Sequence, residues 1–189
     1  MSRSIPSFIN QSYKNCELII VDDGSHDNTF QIVNAYMESH ENIRYIKHTN
    51  RKLSLSKNAG IQAACGKYIA FLDSDDEYKM DYLEKRVAFM EDNKAVDLIE
   101  GGTIIIGDEY VKDKNDPSKK IHLSQCHIGT TFFGKREVFS VLGGFDKTAF
   151  YSEDSVFWEK AEKIYSVRKV DYPGYIYYRN TPGSITNTV

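Results

Sequence analysis

The sequence predicts an α/β fold, because short apolar segments alternate with segments of helical periodicity along its first hundred residues. The strand candidates are CELIIVDDGS (16–25), IRYIKH (43–48), KYIAFL (67–72) and DLIEGGTIII (97–106). The helix candidates are residues 27–40, 54–65 and 80–93, where apolar side chains recur at helical spacing. Because this alternation is closely spaced, we expect a doubly wound parallel sheet flanked by helices, with Gly101 and Gly102 marking a bulge or a close approach.

Acidic residues follow two of the predicted strands. Asp22 and Asp23 follow the first strand, and Asp73, Asp75 and Asp76 follow the third. In open α/β sheets, ligands bind beyond the carboxyl ends of the strands. Carboxylates this close together repel one another unless a cation or water screens them. The second cluster therefore predicts either a divalent cation that binds a diphosphate, or a solvated loop whose acids cap the next helix.

A calcium-binding EF-hand loop is a further interpretation of the second cluster. Acids between Asp73 and Glu84 fall near the ligand positions of such a loop. However, Tyr78 stands where the loop requires glycine, and the preceding segment is predicted to be a strand, so we set this interpretation aside.

Three other positions are candidates for chemistry, and each also has a purely structural explanation. Lys57 begins a predicted helix, where a cation and a helix N-terminus both suit phosphate, although a solvated lysine is commoner. Glu153 and Asp154 begin another predicted helix, SEDSVFWEKAEK, where acids are favoured by the helix dipole alone. One of them can act as a general base beside Trp158, which is equally plausible as a core residue.

Composition limits the class of protein. The chain has 189 residues, which suits one domain, and its net charge of −3 gives no general attraction to nucleic acid. Three widely spaced cysteines match neither a disulfide framework nor a metal site, so we expect a reducing compartment. No apolar run approaches the length of a membrane span and no signal peptide is evident. We therefore expect a cytoplasmic protein, with peripheral attachment to the cytoplasmic face of the membrane left open.

Four segments, taken in order, resemble the inverting family-2 glycosyltransferases, which have a GT-A type nucleotide-sugar-binding fold. They are QSYKNCELIIVDDGSHDNT, SKNAGIQAACGKYIAFLDSDDEY, GGFDKTAFYSEDSVFW and YYRNTPGSIT. The resemblance extends from about Ile5 to near the end of the sequence. It implies one GT-A domain over residues 1–189, built on a mostly parallel mixed sheet flanked by helices, with a nucleotide-binding half at 1–106 and an acceptor-side half at 107–189.

The resemblance also implies roles for residues at the donor site. Asp23, with Asp22 beside it, would contact the nucleotide base, and Lys57, where arginine is more usual, would approach the base or the diphosphate. Asp73-Ser74-Asp75 matches the D-x-D motif. Its first aspartate usually lies near the ribose, and its second holds Mn²⁺ or Mg²⁺.

The remaining implied roles concern the acceptor and the closing of the site. Asp154, with Glu153 beside it, would take the proton from an acceptor hydroxyl, so that in-line attack inverts the anomeric centre while the metal stabilises the leaving diphosphate. Trp158 would stack on an acceptor sugar, and Arg179 and Ser184 match a segment that often closes over the diphosphate. The expected substrates are a nucleotide-diphosphate sugar, with UDP favoured, and a carbohydrate or glycoconjugate acceptor.

One departure from the family pattern affects the predicted fold. The family's fold begins with an apolar strand in the middle of the sheet, whereas SRSIPSFINQSY resembles the helix that follows it, with Pro6 tolerable near the start. We therefore expect a sheet that lacks the usual first strand, unless another segment fills the gap.

Two alternative functions stay open on the sequence. One is a degenerate domain that binds a nucleotide sugar without turnover. The other is a haloacid-dehalogenase-like phosphatase, because AFLDSDD also resembles the nucleophile motif of that class. The later lysine and aspartate motifs of the phosphatases are not evident, which makes the second alternative the weaker one.

Overall fold

The computed structural model describes residues 1–113, 116, 118–149 and 152–180. The helices are α1 Ser4–Ile9, α2 Thr29–Met37, α3 Leu53–Ala63, α4 Tyr82–Asp92, α5 Arg136–Val141 and α6 Glu153–Ala161. The strands are β1 Leu18–Asp22, β2 Ile43–Lys47, β3 Tyr68–Ala70, β4 Glu77–Tyr78, β5 Leu98–Glu100, β6 Thr103–Ile106, β7 Tyr110–Lys112, β8 Lys120–His122, β9 Phe133–Lys135, β10 Val167–Lys169 and β11 Tyr175–Tyr178. The predicted α/β class is confirmed. Within the described ranges, no helix is long and apolar enough to cross a membrane.

The strands pair in both directions. β1 pairs parallel with β2, and a four-stranded sheet has the order β10-β5-β9-β3, in which β9 runs antiparallel to both of its neighbours. β11 lies between β4 and β6, and β7 pairs with β8 as a hairpin. Because β9 and β10 flank β5, strands from the two halves of the sequence share one sheet. The two halves of the sequence therefore do not form separate sheets. The division at residue 106 stays a prediction about which half binds the nucleotide and which half faces the acceptor.

Two glycines explain why the predicted strand 97–106 is divided into β5 and β6. Gly101 and Gly102 have φ values of +104° and +71°. A Cβ atom on Gly101 would lie 2.6 Å from the carbonyl oxygen of Val170, and one on Gly102 would lie 2.2 Å from that of Tyr172. Only glycine combines this backbone conformation with so close an approach. The predicted close approach is confirmed.

The polar segment 108–124 contains the β7–β8 hairpin, and most of its described side chains are exposed. Val111 and Ile121 pair across the hairpin, and both line the large cavity described next. The hairpin therefore forms part of the wall of that cavity.

β1 and β3 each present an open edge to a common cavity. In the described part of the chain, β1 pairs only with β2 and β3 pairs only with β9. The cavity has a volume of about 1880 Å³ and is lined by apolar side chains of both strands and of α1, α3 and α4. Ile19 and Val21 are only half-buried here, although they belong to a strand predicted to be buried. The sheet is thus interrupted between β1 and β3, where the central strand was expected to be lacking.

The open edge of β1 has a measurable consequence. The amide of Leu18 donates to Asn42, and the carbonyl of Asp22 accepts from His48, so alternate residues of β1, including Ile20, direct their backbone groups at β2. The amides of Ile19 and Val21 point the other way. We expect these two amides to exchange with deuterium faster than that of Ile20, because only the last has a strand partner. Equal protection of all three amides, measured by NMR, would contradict an open edge.

Candidate functional site

The site lies where the carboxyl end of β3 meets the N-terminus of α6. Asp73 and Asp75 follow β3, whereas Glu153 and Asp154 begin α6, and all four carboxylates line the same cavity together with Lys57. The sequence separates the two acidic pairs by nearly eighty residues. Carboxylates outnumber the one ammonium group in this cluster, so the cluster favours a cation over an anion.

Lys57 is fixed among these carboxylates. Its Nζ lies 3.0 Å from Oε1 of Glu153 and 4.8 Å from the ring centre of Phe145. Burial lowers the pKa of Lys57, but the charges of Glu153, Asp73 and Asp154 outweigh burial and raise it. Lys57 is therefore a fixed cation beside Asp73, the first aspartate of the D-x-D motif, and the acids that begin α6.

Asp154 has the environment of a proton acceptor. One oxygen accepts a hydrogen bond from the amide of Gly129 at 3.2 Å, and the other accepts from the amide of Ser155 at 2.8 Å. Burial raises the pKa of Asp154, and repulsion by Glu153 raises it further, despite the opposing effects of Lys57 and of the two amides. A carboxylate with a raised pKa is a better base than an exposed one.

The surroundings of Asp154 leave little room for change. A Cβ atom on Gly129 would lie 2.8 Å from Cβ of Asp154, so only glycine fits there. Ser152, just before α6, has a φ of +63°, a conformation that costs energy for a residue other than glycine. Strain of this kind is commonly found at functional sites.

The D-x-D residues are suited to hold a cation together with a substrate. Burial raises the pKa of Asp73, and repulsion from Asp75 adds to the effect while Lys57 opposes it. In the described residues, no group of three His, Cys, Asp or Glu side chains could hold a metal ion by itself. Mg²⁺ commonly binds through one or two carboxylates and the phosphates of its substrate. Asp73 and Asp75 therefore fit an ion whose other ligands come from a diphosphate. Ser74 lies between them and is exposed, and its carbonyl accepts from Ser4 Oγ at 3.1 Å.

Asp76 differs from the neighbouring acids because its side chain points into the protein. Its oxygens accept hydrogen bonds from the hydroxyl of Tyr175 at 2.7 Å and from the amide of Tyr178 at 2.8 Å. Burial raises the pKa of Asp76 to about 7, and repulsion from Asp73 and Asp75 contributes. Asp76 therefore anchors the acidic loop to β11 and is not available to a ligand.

The two acids at the carboxyl end of β1 also have different surroundings. Asp22 is buried and accepts hydrogen bonds from the amide of Ser25 at 2.7 Å and from the hydroxyl of Tyr45. Asp23 lines the cavity, where its carboxylate accepts from the amides of Arg51 at 2.7 Å and Lys52 at 2.9 Å. Asp23 thus faces the cavity, where its contact with a base is predicted, and Asp22 supports the turn behind it.

Asp22 predicts a dependence of stability on pH. Burial opposes its ionisation, but the hydrogen bonds from Tyr45 and Ser25 and the charge of Lys47 lower the pKa of Asp22 from its ordinary value of 3.8 to about 2. Because the pKa in the folded state is depressed, ionised Asp22 stabilises the fold above about pH 4, and this contribution is lost as the pH falls toward 2. We expect Asp22→Asn to lower the free energy of unfolding at pH 7 by about 2 kcal/mol and to flatten its pH dependence below pH 4. Urea unfolding of both proteins across this range measures the effect, and identical pH profiles would contradict it.

Of the other predicted site residues, Arg179 lines the cavity and Trp158 does not. Arg179 is buried, lines the cavity and donates from Nη2 to the carbonyl of Tyr110 at 3.3 Å. Trp158 is 4% exposed and does not line the cavity, because it packs among Phe132 and Phe157. The Trp158 ring is therefore not open to a sugar in the cavity, and the expected stacking contact would not form directly. Ser184 lies outside the described residues.

Sequence reasoning missed two residues that organise the site. Asn58 donates to the carbonyl of Phe145 at 2.8 Å and accepts from its amide at 2.7 Å, which holds the turn that follows α5. A Cβ atom on Gly144 would lie 2.2 Å from the Asn58 side chain, so this turn requires glycine. His127 lies on the cavity wall and contacts Glu100. Asn58 lies in the segment SKNAGIQAACGKYIAFLDSDDEY that carries the family resemblance, whereas a single histidine in a loop gives no signal.

Comparisons with known proteins agree with this geometry. The model of the family described as "Glycosyl transferase family 2" matches residues 1–159. An uncharacterised glycosyltransferase of Haemophilus influenzae is 40% identical over 97 residues, which cover 51% of this chain and 39% of the relative. Glycosyltransferase GlyA of Streptococcus pneumoniae is 38% identical over 84 residues, which cover 44% of this chain and 12% of the relative. The match thus spans well under two thirds of either relative.

Solved structures share the fold. TarS of S. aureus in complex with UDP-GlcNAc superposes with a TM-score of 0.77 at 19% identity, covering 98% of this chain and 56% of that one. The mannosyltransferase PcManGT of Pyrobaculum calidifontis, in complex with GDP-Man and Mn²⁺, gives a TM-score of 0.72 at 21% identity, covering 98% and 54%. The predicted GT-A fold is thereby confirmed.

Proposed function

The chain belongs to glycosyl transferase family 2, and from that premise we propose that it transfers a sugar from a nucleotide-diphosphate sugar to an acceptor hydroxyl, with inversion at the anomeric carbon. The observation that carries the proposal is that Asp73, Asp75 and Asp154 line one cavity together with Lys57, on which the charges of Asp73 and Asp154 act. A reducing, cytoplasmic location is part of the proposal, and it is consistent with the free thiols of all three cysteines.

Each residue of the cluster has a role in the proposed reaction. Asp73 and Asp75 would hold Mn²⁺ or Mg²⁺, which supplies positive charge to the departing diphosphate. Lys57 adds a second positive charge. Asp154 accepts the proton of the acceptor hydroxyl as its oxygen attacks the anomeric carbon and the bond to the diphosphate breaks.

The choice of donor is a finer part of the proposal. TarS is described with UDP and UDP-GlcNAc, and PcManGT with GDP-Man. We favour a UDP-linked donor, with Asp23 as the contact to the base. Arg179, and Ser184 beyond the described residues, are proposed to close over the diphosphate.

The test is release of free nucleotide from sugar nucleotides. We expect UDP release from a UDP-linked sugar such as UDP-GlcNAc, dependent on Mn²⁺ or Mg²⁺ and abolished by EDTA, with GDP-mannose as the comparison donor. An α-linked donor should give a β-linked product by NMR. Retention of configuration would contradict the proposed role of Asp154.

A second candidate is binding of the nucleotide sugar without turnover. The interrupted sheet favours it, because the open edges of β1 and β3 adjoin the loops that carry Asp23 and Asp73. Metal-dependent binding of UDP without release of nucleotide from any sugar nucleotide would support this candidate over transfer.

A further inference from the structure

His127 is held from two sides on the wall of the cavity. Its Nδ1 lies 2.8 Å from Oε1 of Glu100, and its ring stacks on Trp158 with 5.0 Å between centroids and an angle of 24°. The Glu100 side chain is 3% exposed, and its Oε1 also lies 3.0 Å from Nζ of Lys169. Contacts to a ring edge and a ring face together leave the imidazole little freedom to turn.

These contacts decide which nitrogen carries the proton. Glu100 is paired with Lys169 and therefore accepts a hydrogen bond, so the proton of a neutral His127 belongs on Nδ1. Nε2 then carries a lone pair and can accept a hydrogen bond. Within the described residues Nε2 has no hydrogen-bond partner, and the His127 side chain is 24% exposed toward the cavity.

His127 lies close to the proposed general base. The amide of Gly129, two residues after His127, donates to Asp154, and the His127 ring stacks on Trp158, which lies about one turn of α6 after Asp154. Asp154 and His127 line the same cavity. The wall of the cavity beside α6 therefore carries two hydrogen-bond acceptors, a carboxylate and an imidazole nitrogen.

We propose that Asp154 and Nε2 of His127 bind two neighbouring hydroxyls of the acceptor, which makes the acceptor a carbohydrate with a vicinal diol. The inference rests on the proposed function and adds an acceptor-binding residue to it. Asp154 takes the proton from the attacking hydroxyl, and His127 accepts a hydrogen bond from the adjacent one. Trp158 then acts as a positioning residue beneath the imidazole and does not touch the sugar.

Two substitutions separate this role from a structural one. In His127→Asn the amide can still donate to Glu100, but nothing replaces Nε2. In His127→Gln the amide reaches the position of Nε2 and loses the contact with Glu100. We expect His127→Asn to weaken glycoside binding by about five- to tenfold, and His127→Gln to weaken it less. A purely structural role would lower the melting temperature of both variants and would not distinguish them in binding.

The probes are methyl glycosides of glucose, galactose and mannose. Their binding is measured by saturation-transfer NMR with and without UDP and Mg²⁺. In ¹⁵N-histidine-labelled protein, we expect the Nδ1–H tautomer at His127 and a shift of its Nε2 signal when a glycoside binds. The inference is overturned if none of the glycosides binds, if both variants bind like wild type, or if Nε2 does not respond. Because glycoside binding is also measured without nucleotide, a failure to bind UDP counts against the proposed donor chemistry alone.

Discussion

Replacing Asp154 with asparagine is expected to slow sugar transfer by about 10²- to 10⁴-fold, the usual contribution of a general base. The amide has the same size and can still accept a hydrogen bond from Gly129, but it cannot take the proton of the acceptor hydroxyl. Binding of UDP with Mn²⁺ should change little, because Asp154 faces the acceptor in this account. The measurement is kcat for nucleotide release in the presence of acceptor.

Glu153→Gln is the matched control for this prediction. Glu153 is next to Asp154 and pairs with Lys57 at 3.0 Å, and glutamine keeps a hydrogen-bond acceptor for that ammonium group. We expect a loss of less than about tenfold. If Glu153→Gln were slower than Asp154→Asn, the general base would have to be reassigned to Glu153.

The second large effect is expected at Asp75. Asp75→Asn removes one of the two carboxylates proposed to hold the metal, and an amide is a poorer ligand for a hard cation than a carboxylate. We expect metal-dependent binding of UDP to fall at least about a hundredfold, because nucleotide and cation bind as one unit. Equilibrium dialysis of labelled UDP with Mn²⁺ measures the loss.

Asp76→Asn is the control for Asp75→Asn. It changes the same kind of side chain one residue away, but Asp76 points toward Tyr175 and Tyr178 instead of the cavity. Nucleotide binding should therefore survive this substitution. If the two variants lost binding equally, the loss would report damage to the loop and not removal of a metal ligand.

The sequence was informative wherever a pattern repeats or a strand ends. Alternating strands and helices predicted the fold class, and acids after two strands predicted where a site would form. Asp73 and Asp154 could be assigned to one site only through the resemblance, because nothing local connects residues so far apart. The structure then brought both to one cavity.

Other features depend on contacts that no local pattern carries. β9 has three residues and lies antiparallel between β5 and β3, and so short a segment has no periodicity to detect. Asp76 has the same side chain as Asp75 but lies on the opposite side of the loop, because Tyr175 binds it. His127 is singled out only by its contacts with Glu100 and Trp158, which lie far from it in the sequence.

Calorimetric titration of UDP into the wild-type chain, with Mn²⁺ and then with EDTA, is the decisive test of the proposed donor site. Binding should require the metal and disappear in Asp75→Asn. The proposal is contradicted if a folded wild-type chain binds no UDP or GDP in the presence of Mn²⁺ or Mg²⁺. In that case the carboxylates around Lys57 would not form a donor site.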